Sequence, residues 1–211
     1  MPEAIIKKID LNTIDLNLID EAAACIKKGG IIIYPTDTIY GIGCDTSNQS
    51  AVQRIFRIKR RDINKPILII THSLREVEKL VKIFPQNAKK IANVFWPGPV
   101  TMVFEARENL FSSIVSREGK IAIRIPNNQF CLRLCEKCSA PIVSTSANIS
   151  GKPENVDMNY IINTFGNIVD MIIDAGDLSG NLASTIVDIS GEYPILIREG
   201  LISYDRIKSV L

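Results

Sequence analysis

The sequence predicts one α/β or α+β domain built on a mixed sheet. Three observations predict it. Short apolar runs bounded by Gly and Pro recur along the chain, as buried strands do. Helical stretches lie between them, without the strict alternation that a wholly parallel sheet would require. The 211 residues show no internal repeat and no low-complexity linker, so a single domain over 1–211 is expected rather than two.

The elements follow in order. Asp15 or Asn17 caps a first helix that runs to about Lys28, with Gly29 as its stop. Ile31 to Tyr34 is an apolar run ended by Pro35, and reads as a strand. Ser50 is the expected cap of a second helix, with Val52, Ile55, Phe56 and Lys59 on one side and Arg54 and Arg57 on the other. Pro66 introduces a strand over Ile67–Ile70. Two helices are expected next, at about 73–83 and 87–95, before Trp96-Pro97-Gly98-Pro99 breaks the pattern. Val100–Glu105 is a strand, and Ile121–Ile125 alternates with period two. Asn127–Cys138 is helical in spacing, and Pro141-Ile142-Val143 is a short strand. Asp157–Phe165 is a helix. Met171–Asp174, Thr185–Ile189 and Ile195–Arg198 are strands, and Ser203 caps a last helix to Leu211.

Bulk composition narrows the classes. The chain is 46% hydrophobic, enough for a sizeable core, and a net charge of +2 does not by itself argue for a nucleic-acid binder. No apolar run approaches the roughly 20 residues of a membrane span, so no membrane partner is expected. The N-terminus MPEAIIKKIDLN lacks the features of a signal peptide. Five cysteines, an odd number, argue against a secreted disulfide framework. The expected setting is a reducing cytoplasm.

Four constellations bear on chemistry. Residues 29–45 read GGIIIYPTDTIYGIGCD, and place Thr36-Asp37-Thr38 with Gly41 and Gly43 at the end of a buried strand. Small hydroxyl residues there bring amides and hydroxyls close to a ligand, although a plain strand and tight turn would read the same way. Arg54, Arg57, Lys59, Arg60, Arg61 and Lys65 set six cations within twelve residues against Asp62 alone. A solvated helix face would look similar, but Lys59 falls on the apolar side. Arg61 and Lys65 follow where the helix ends, placed to reach a polyphosphate or RNA. Ser144-Thr145-Ser146-Ala147-Asn148 precedes Gly151-Lys152-Pro153; it is neither a Walker loop nor a nucleophile elbow, and suits substrate binding better than covalent attack. Arg124 and Arg198 each alternate with apolar neighbours on a strand and become cavity-lining residues if both face one ligand. Cys131, Cys135 and Cys138 spell C-x3-C-x2-C, a spacing also used for iron–sulfur clusters. On a helix they share a face with Phe130 and Leu134, and are read as core. His72 has no metal partners at ligand spacing.

Together these segments resemble the YrdC family, in particular its short threonylcarbamoyl-AMP synthases. The landmarks fall in the family's order over roughly residues 18–202: GG-IIIYPTDTIYGIG, K-R-R-x-x-x-K-P at 59–66, FWPGPVT at 95–101, IAIRIP at 121–126, STSAN-x-SGKP at 144–153, STIVD at 184–188 and REG at 198–200. The resemblance implies a YrdC-like domain with a twisted mixed sheet, flanked by helices, around a large basic concavity. It also implies a nucleotidyltransferase in which L-threonine, bicarbonate and ATP give threonylcarbamoyl-AMP and pyrophosphate. The product feeds tRNA threonylcarbamoyladenosine formation by partner tRNA-modification proteins, and direct tRNA binding is left open. Lys59 and Arg61 are the expected catalytic residues. Lys59, Arg61, Lys65, Ser146, Asn148 and Arg198 are expected on ATP, and Thr38, Arg124, Ser144 and Ser184 on threonine. Mg2+ is expected to arrive with ATP, without a protein cage. Many members carry a His at the position of Ile70, and His72, two residues on, is the candidate replacement. The rival reading is a non-catalytic, RNA-binding paralogue of the YciO kind.

Overall fold

The computed structural model describes residues 3–62, 66–154, 157–178 and 180–211. Its strands divide between two mixed sheets rather than forming one. The first contains β1 (Ile5–Lys8), β2 (Ile32–Tyr34), β3 (Gly41–Gly43), β8 (Thr145–Ser146) and β9 (Met171–Asp174), in the order β1-β9-β2-β3-β8. The second contains β4 (Leu68–Ile70), β5 (Val100–Glu105), β6 (Lys120–Arg124), β7 (Ile142–Val143), β10 (Thr185–Asp188) and β11 (Ile195–Arg198), in the order β11-β10-β5-β6-β4-β7. The helices are α1 (Leu16–Lys27), α2 (Gln49–Lys59), α3 (Leu74–Leu80), α4 (Gln86–Phe95), α5 (Gln129–Cys138), α6 (Met158–Phe165) and α7 (Tyr204–Lys208). None of the described helices is long and apolar enough to cross a membrane.

Pleat alternation decides what each sheet buries. In β2, Ile32 and Tyr34 face α1 and α5, where they meet Ile19 and Ile26 of α1 and Phe130, Cys131 and Leu134 of α5. The residues on the opposite face, Ile31 and Ile33, join the larger core between the sheets with Met102, Phe104, Ile121 and Ile123. Each fully buried isoleucine contributes about 1.5–3 kcal/mol of transfer free energy, so two opposed apolar faces make β2 a central strand of only three residues.

The helix ends settle one choice the sequence left open and give two departures from it. The side chain of Asp15, not Asn17, caps α1 by accepting from Leu18 N at 3.0 Å. α2 is capped by Asn48, two residues before the expected cap Ser50, because Asn48 Oδ1 accepts from Ala51 N at 3.0 Å and satisfies an otherwise free amide. The last helix ends at Lys208 rather than Leu211.

The C-terminus of α2 positions the first cations. Arg60 has φ 51, in the left-handed region, and its amide donates to Arg57 O at 3.0 Å while Arg61 N donates to Phe56 O at 2.9 Å. This is a Schellman turn with an arginine where glycine is usual. It leaves Lys59 on the buried face of α2 and turns the chain at Arg61.

Candidate active site

One face of the second sheet carries Met102, Phe104, Ile121 and Ile123 into the core. The other face carries Thr101 and Val103 from β5, Ala122 and Arg124 from β6, Leu68 from β4 and Ile186 from β10. These residues line a cavity of ≈ 290 Å³. The opposite wall comes from the turn between β2 and β3 and from β7–β8. The cavity therefore has an apolar floor and a polar rim of hydroxyls and arginines.

The turn between β2 and β3 is locked by its own hydroxyls. Thr36 Oγ1 donates to Ile39 O at 2.7 Å and accepts from Thr38 N at 3.1 Å. The Thr36 and Thr38 hydroxyls lie 3.0 Å apart. Because the Thr36 hydrogen is committed to Ile39, Thr38 is the donor between them. Gly41 and Gly43 follow, and a Cβ at Gly43 would stand 2.0 Å from Val143 O. Close strand approach, not turn geometry, requires that glycine.

Arg124 is almost wholly buried, with 4% of its side chain exposed, and is held on three sides. Its Nε donates to Gly98 O at 2.9 Å, Nη1 to Thr38 Oγ1 at 2.9 Å, and Nη2 to Asp37 Oδ1 at 2.5 Å. The Trp96-Pro97-Gly98-Pro99 break supplies the first of these acceptors, with Gly98 N tied to Ile125 O at 2.8 Å. A guanidinium has five N–H groups. These three bonds leave one N–H on each terminal nitrogen.

The hydroxyl cluster at 144–148 is tied from beneath. The Lys59 ammonium, 1% exposed, donates to Asn148 O at 2.8 Å, to Asn148 Oδ1 at 3.0 Å and to Ser146 O. Ser146 Oγ donates to Asn148 Oδ1 at 2.7 Å. Burial pulls the Lys59 ammonium down to about 7, with Arg61 adding repulsion and Glu154 opposing it. Neither Lys59 nor Asn148 lines the cavity. Lys59, expected on the phosphates, and Asn148, expected on the nucleotide side, hold the loop that presents Ser146.

Arg61 and Arg198 do line the cavity. Arg61 Nη2 donates to Pro66 O at 2.8 Å, and burial lowers its pKa. Arg198 Nη2 donates to Ser184 O at 2.9 Å, and its Nη1 donates to both oxygens of Glu154 at 2.8 and 2.7 Å. Ser184 Oγ meets Thr101 Oγ1 at 2.9 Å. Thus Thr38, Arg61, Arg124, Ser144, Ser146, Ser184 and Arg198 meet at one cavity from segments far apart in sequence. Lys65 lies outside the described residues. Ile70 is buried in the cluster around α1 and α5, and neither it nor His72 lines the cavity.

Several residues at the site escaped the sequence reading. Asp37 fixes Arg124 from a second cavity of ≈ 370 Å³ on the far side of the turn, beside Asn128 and Asn181. Glu154 pairs with Arg198, and Thr101 meets Ser184. The FWPGPVT segment was the one signal pointing to Thr101. The cysteines behave as core: Cys131 and Cys135 are fully buried, and burial pushes both thiols up. The described residues hold no group of three or more His, Cys, Asp or Glu able to bind a metal.

Known proteins resemble this chain in sequence and fold. The family model Sua5_yciO_yrdC, described as telomere recombination, matches residues 24–200. The chain is 34% identical over 190 residues to the threonylcarbamoyl-AMP synthase of Pyrococcus abyssi, covering 90% of this chain and 56% of that protein. It thus spans little more than half the length of the Pyrococcus relative. It is 37% identical over 158 residues to the threonylcarbamoyl-AMP synthase of Coxiella burnetii (strain RSA 493 / Nine Mile phase I), covering 74% of this chain and 84% of that one. The crystal structure of P. abyssi Sua5 complexed with L-threonine superposes with a TM-score of 0.91 at 32% identity, over 100% of this chain and 61% of that one. A match spanning both sheets and every segment that meets at the cavity leaves one conclusion: the chain belongs to the Sua5/YciO/YrdC family.

Proposed function

We propose that the chain is a threonylcarbamoyl-AMP synthase, a nucleotidyltransferase that serves tRNA threonylcarbamoyladenosine modification. It would join L-threonine, bicarbonate and ATP into threonylcarbamoyl-AMP and release pyrophosphate. One observation carries the reading: three arginines and a set of hydroxyls from separate motifs surround one cavity, with no histidine or cysteine among the lining residues. Such a site offers no histidine to activate a hydroxyl and no thiol, and suits a reaction driven by positioning and charge stabilisation. The names of the relatives, and the threonine complex of the P. abyssi protein, support the same assignment.

Arg124 would take the threonine carboxylate on its two remaining N–H groups, with Thr38, Ser144 and Ser184 around the amino acid. The threonine amine attacks bicarbonate carbon, water leaves, and a carbamate forms. A carbamate oxygen then attacks the α-phosphorus of ATP. The bond from that phosphorus to the α,β-bridging oxygen breaks, and pyrophosphate departs with the electron pair. Arg61 and Arg198 would stabilise the developing charge, with Ser146 on the nucleotide. Magnesium enters as part of the MgATP substrate. Glu154 is the one carboxylate lining the cavity among the described residues, so no protein cage is derived for it.

The test is pyrophosphate release with mass-spectrometric detection of the adenylate, omitting each substrate in turn. Product that requires L-threonine, bicarbonate and ATP together supports the synthase. A folded, nucleotide-binding protein without turnover would point instead to an RNA-binding paralogue. A companion binding measurement with tRNA, across salt, separates that outcome from simple inactivity.

A further inference from the structure

We propose that Glu154 is the cavity's own counter-ion: it neutralises Arg198 until a polyphosphate displaces it, and so sets which anions the arginine pair accepts. This rests on the nucleotide-site reading above.

Four observations carry it. Glu154 is the one carboxylate lining the cavity among the described residues, and it lies between cations. Arg198 holds it directly, and Arg61 and Lys59 both feel its charge. The pair is imperfect. Both Glu154 oxygens fall on the single nitrogen Nη1, not in the parallel two-nitrogen fork that a guanidinium and an oxyanion prefer. Arg198 Nε and Arg61 Nε are buried and have no hydrogen-bond partner among the described residues. Buried donors are nearly always satisfied, so two orphans at the same site mark acceptor positions that Glu154 does not fill. Finally, the ion pair is breakable: its side chains are 35% and 37% exposed, and water screens their attraction.

The consequence is a charge threshold. An incoming monoanion only exchanges one negative charge for another. A pyrophosphate or triphosphate brings oxygens enough to bridge Arg61 and Arg198 and to reach both orphan donors. The mixed-anhydride phosphate of the adenylate carries a single charge, so it competes poorly with Glu154 once pyrophosphate has left.

The test is calorimetric titration of inorganic phosphate, pyrophosphate and MgATP into the wild type and into Glu154→Gln and Glu154→Ala, with melting temperatures as folding controls. Both variants should bind phosphate about tenfold more tightly, a change of about 1.4 kcal/mol. Pyrophosphate and MgATP should gain less, about threefold, so discrimination between short and long anions shrinks. In an Arg198→Ala background the gain should vanish. Wild-type phosphate affinity in both Glu154 variants, or an undiminished gain without Arg198, would overturn the proposal. If Arg198→Ala instead leaves MgATP affinity unchanged, the nucleotide-site reading itself fails; if it weakens MgATP while the Glu154 variants match wild type, only the counter-ion fails.

Discussion

Replacing Lys59 with methionine tests whether a buried ammonium acts through the loop it holds. Lys59→Met keeps the unbranched apolar stem, one atom shorter, and removes three hydrogen bonds. Two of the acceptors keep a second donor: Asn148 Oδ1 retains Ser146 Oγ, and Ser146 O retains Asn148 N at 2.9 Å. Asn148 O has no other donor among the described residues, which costs about 1–3 kcal/mol. The two remaining charge-assisted bonds add about 1.5–3 kcal/mol each. Against this, the ammonium no longer has to be buried. Its fall from the ordinary 10.5 to about 7 corresponds to a saving of about 5 kcal/mol at pH 7 and below. These terms largely cancel, leaving between a gain of about 1 and a loss of about 4 kcal/mol, within the roughly 5–15 kcal/mol of a typical domain. Nucleotide affinity should fall by at least about tenfold, because Ser146 and Asn148 are no longer pinned. Denaturant melts give the first quantity, and titration with MgATP gives the second. If the lysine works through the loop, adding Asn148→Ala to Lys59→Met should cause little further loss of affinity. Wild-type affinity in Lys59→Met, or full additivity of the two substitutions, would refute this reasoning.

The same ammonium predicts a pH dependence. Below about pH 7 both the folded and unfolded chains hold the proton and the burial cost is fully felt. Between about 7 and 10.5 the unfolded chain keeps a proton that the fold has shed, so this group makes stability rise with pH by up to about 1.4 kcal/mol per pH unit. Melts from pH 6.5 upward should show that rise in the wild type and lose it in Lys59→Met; parallel curves would contradict it. Gly43→Ala should cost at least about 3 kcal/mol or prevent folding, since the new methyl meets the Val143 carbonyl and the Tyr34 ring, neither of which can move; a melting temperature near wild type would contradict the close approach. Arg124→Lys should raise the KM for threonine about tenfold or more while MgATP binding stays within about twofold, because a point charge cannot reproduce the fork; an equal effect on both ligands would remove Arg124 from the amino-acid side.

Local signals carried much of this fold. Period-two alternation in Ile121–Ile125, and the Gly- and Pro-bounded runs at Ile31–Tyr34 and Val100–Glu105, mark strands whose two faces have different surroundings. β1, β3 and β8 were missed for physical reasons. β1 is a run of two isoleucines and two lysines that leaves Ile5 and Ile6 exposed, so it shows no alternation. β3 reads Gly-Ile-Gly, which looks like a turn until its close approach to Val143 is seen. β8 is only two residues long and is held by its partner. Division into two sheets depends on those three strands, and so was not legible.

At the cavity, the motifs announced Thr38, Arg61, Arg124, Ser144, Ser146, Ser184 and Arg198, whose residue types already suit an anionic substrate. Their partners were hidden because pairing is a tertiary fact. Asp37 meets Arg124 across 87 positions, and Glu154 meets Arg198 across 44. Lys59 shows the opposite case. Its place on the apolar side of α2 was visible, but the carbonyls that occupy its three donors come from a segment nearly ninety residues away.

The central claim is that these dispersed arginines and hydroxyls form a single substrate site. A crystal structure with L-threonine and a non-hydrolysable ATP analogue tests it most directly. The account predicts threonine with its carboxylate on Arg124 near Thr38 and Ser144, and phosphate oxygens on Arg61 and Arg198 with Glu154 turned away. Ligand density in the neighbouring cavity beside Asn128 and Asn181, with Arg124 and Arg198 keeping their Asp37 and Glu154 partners, would contradict it.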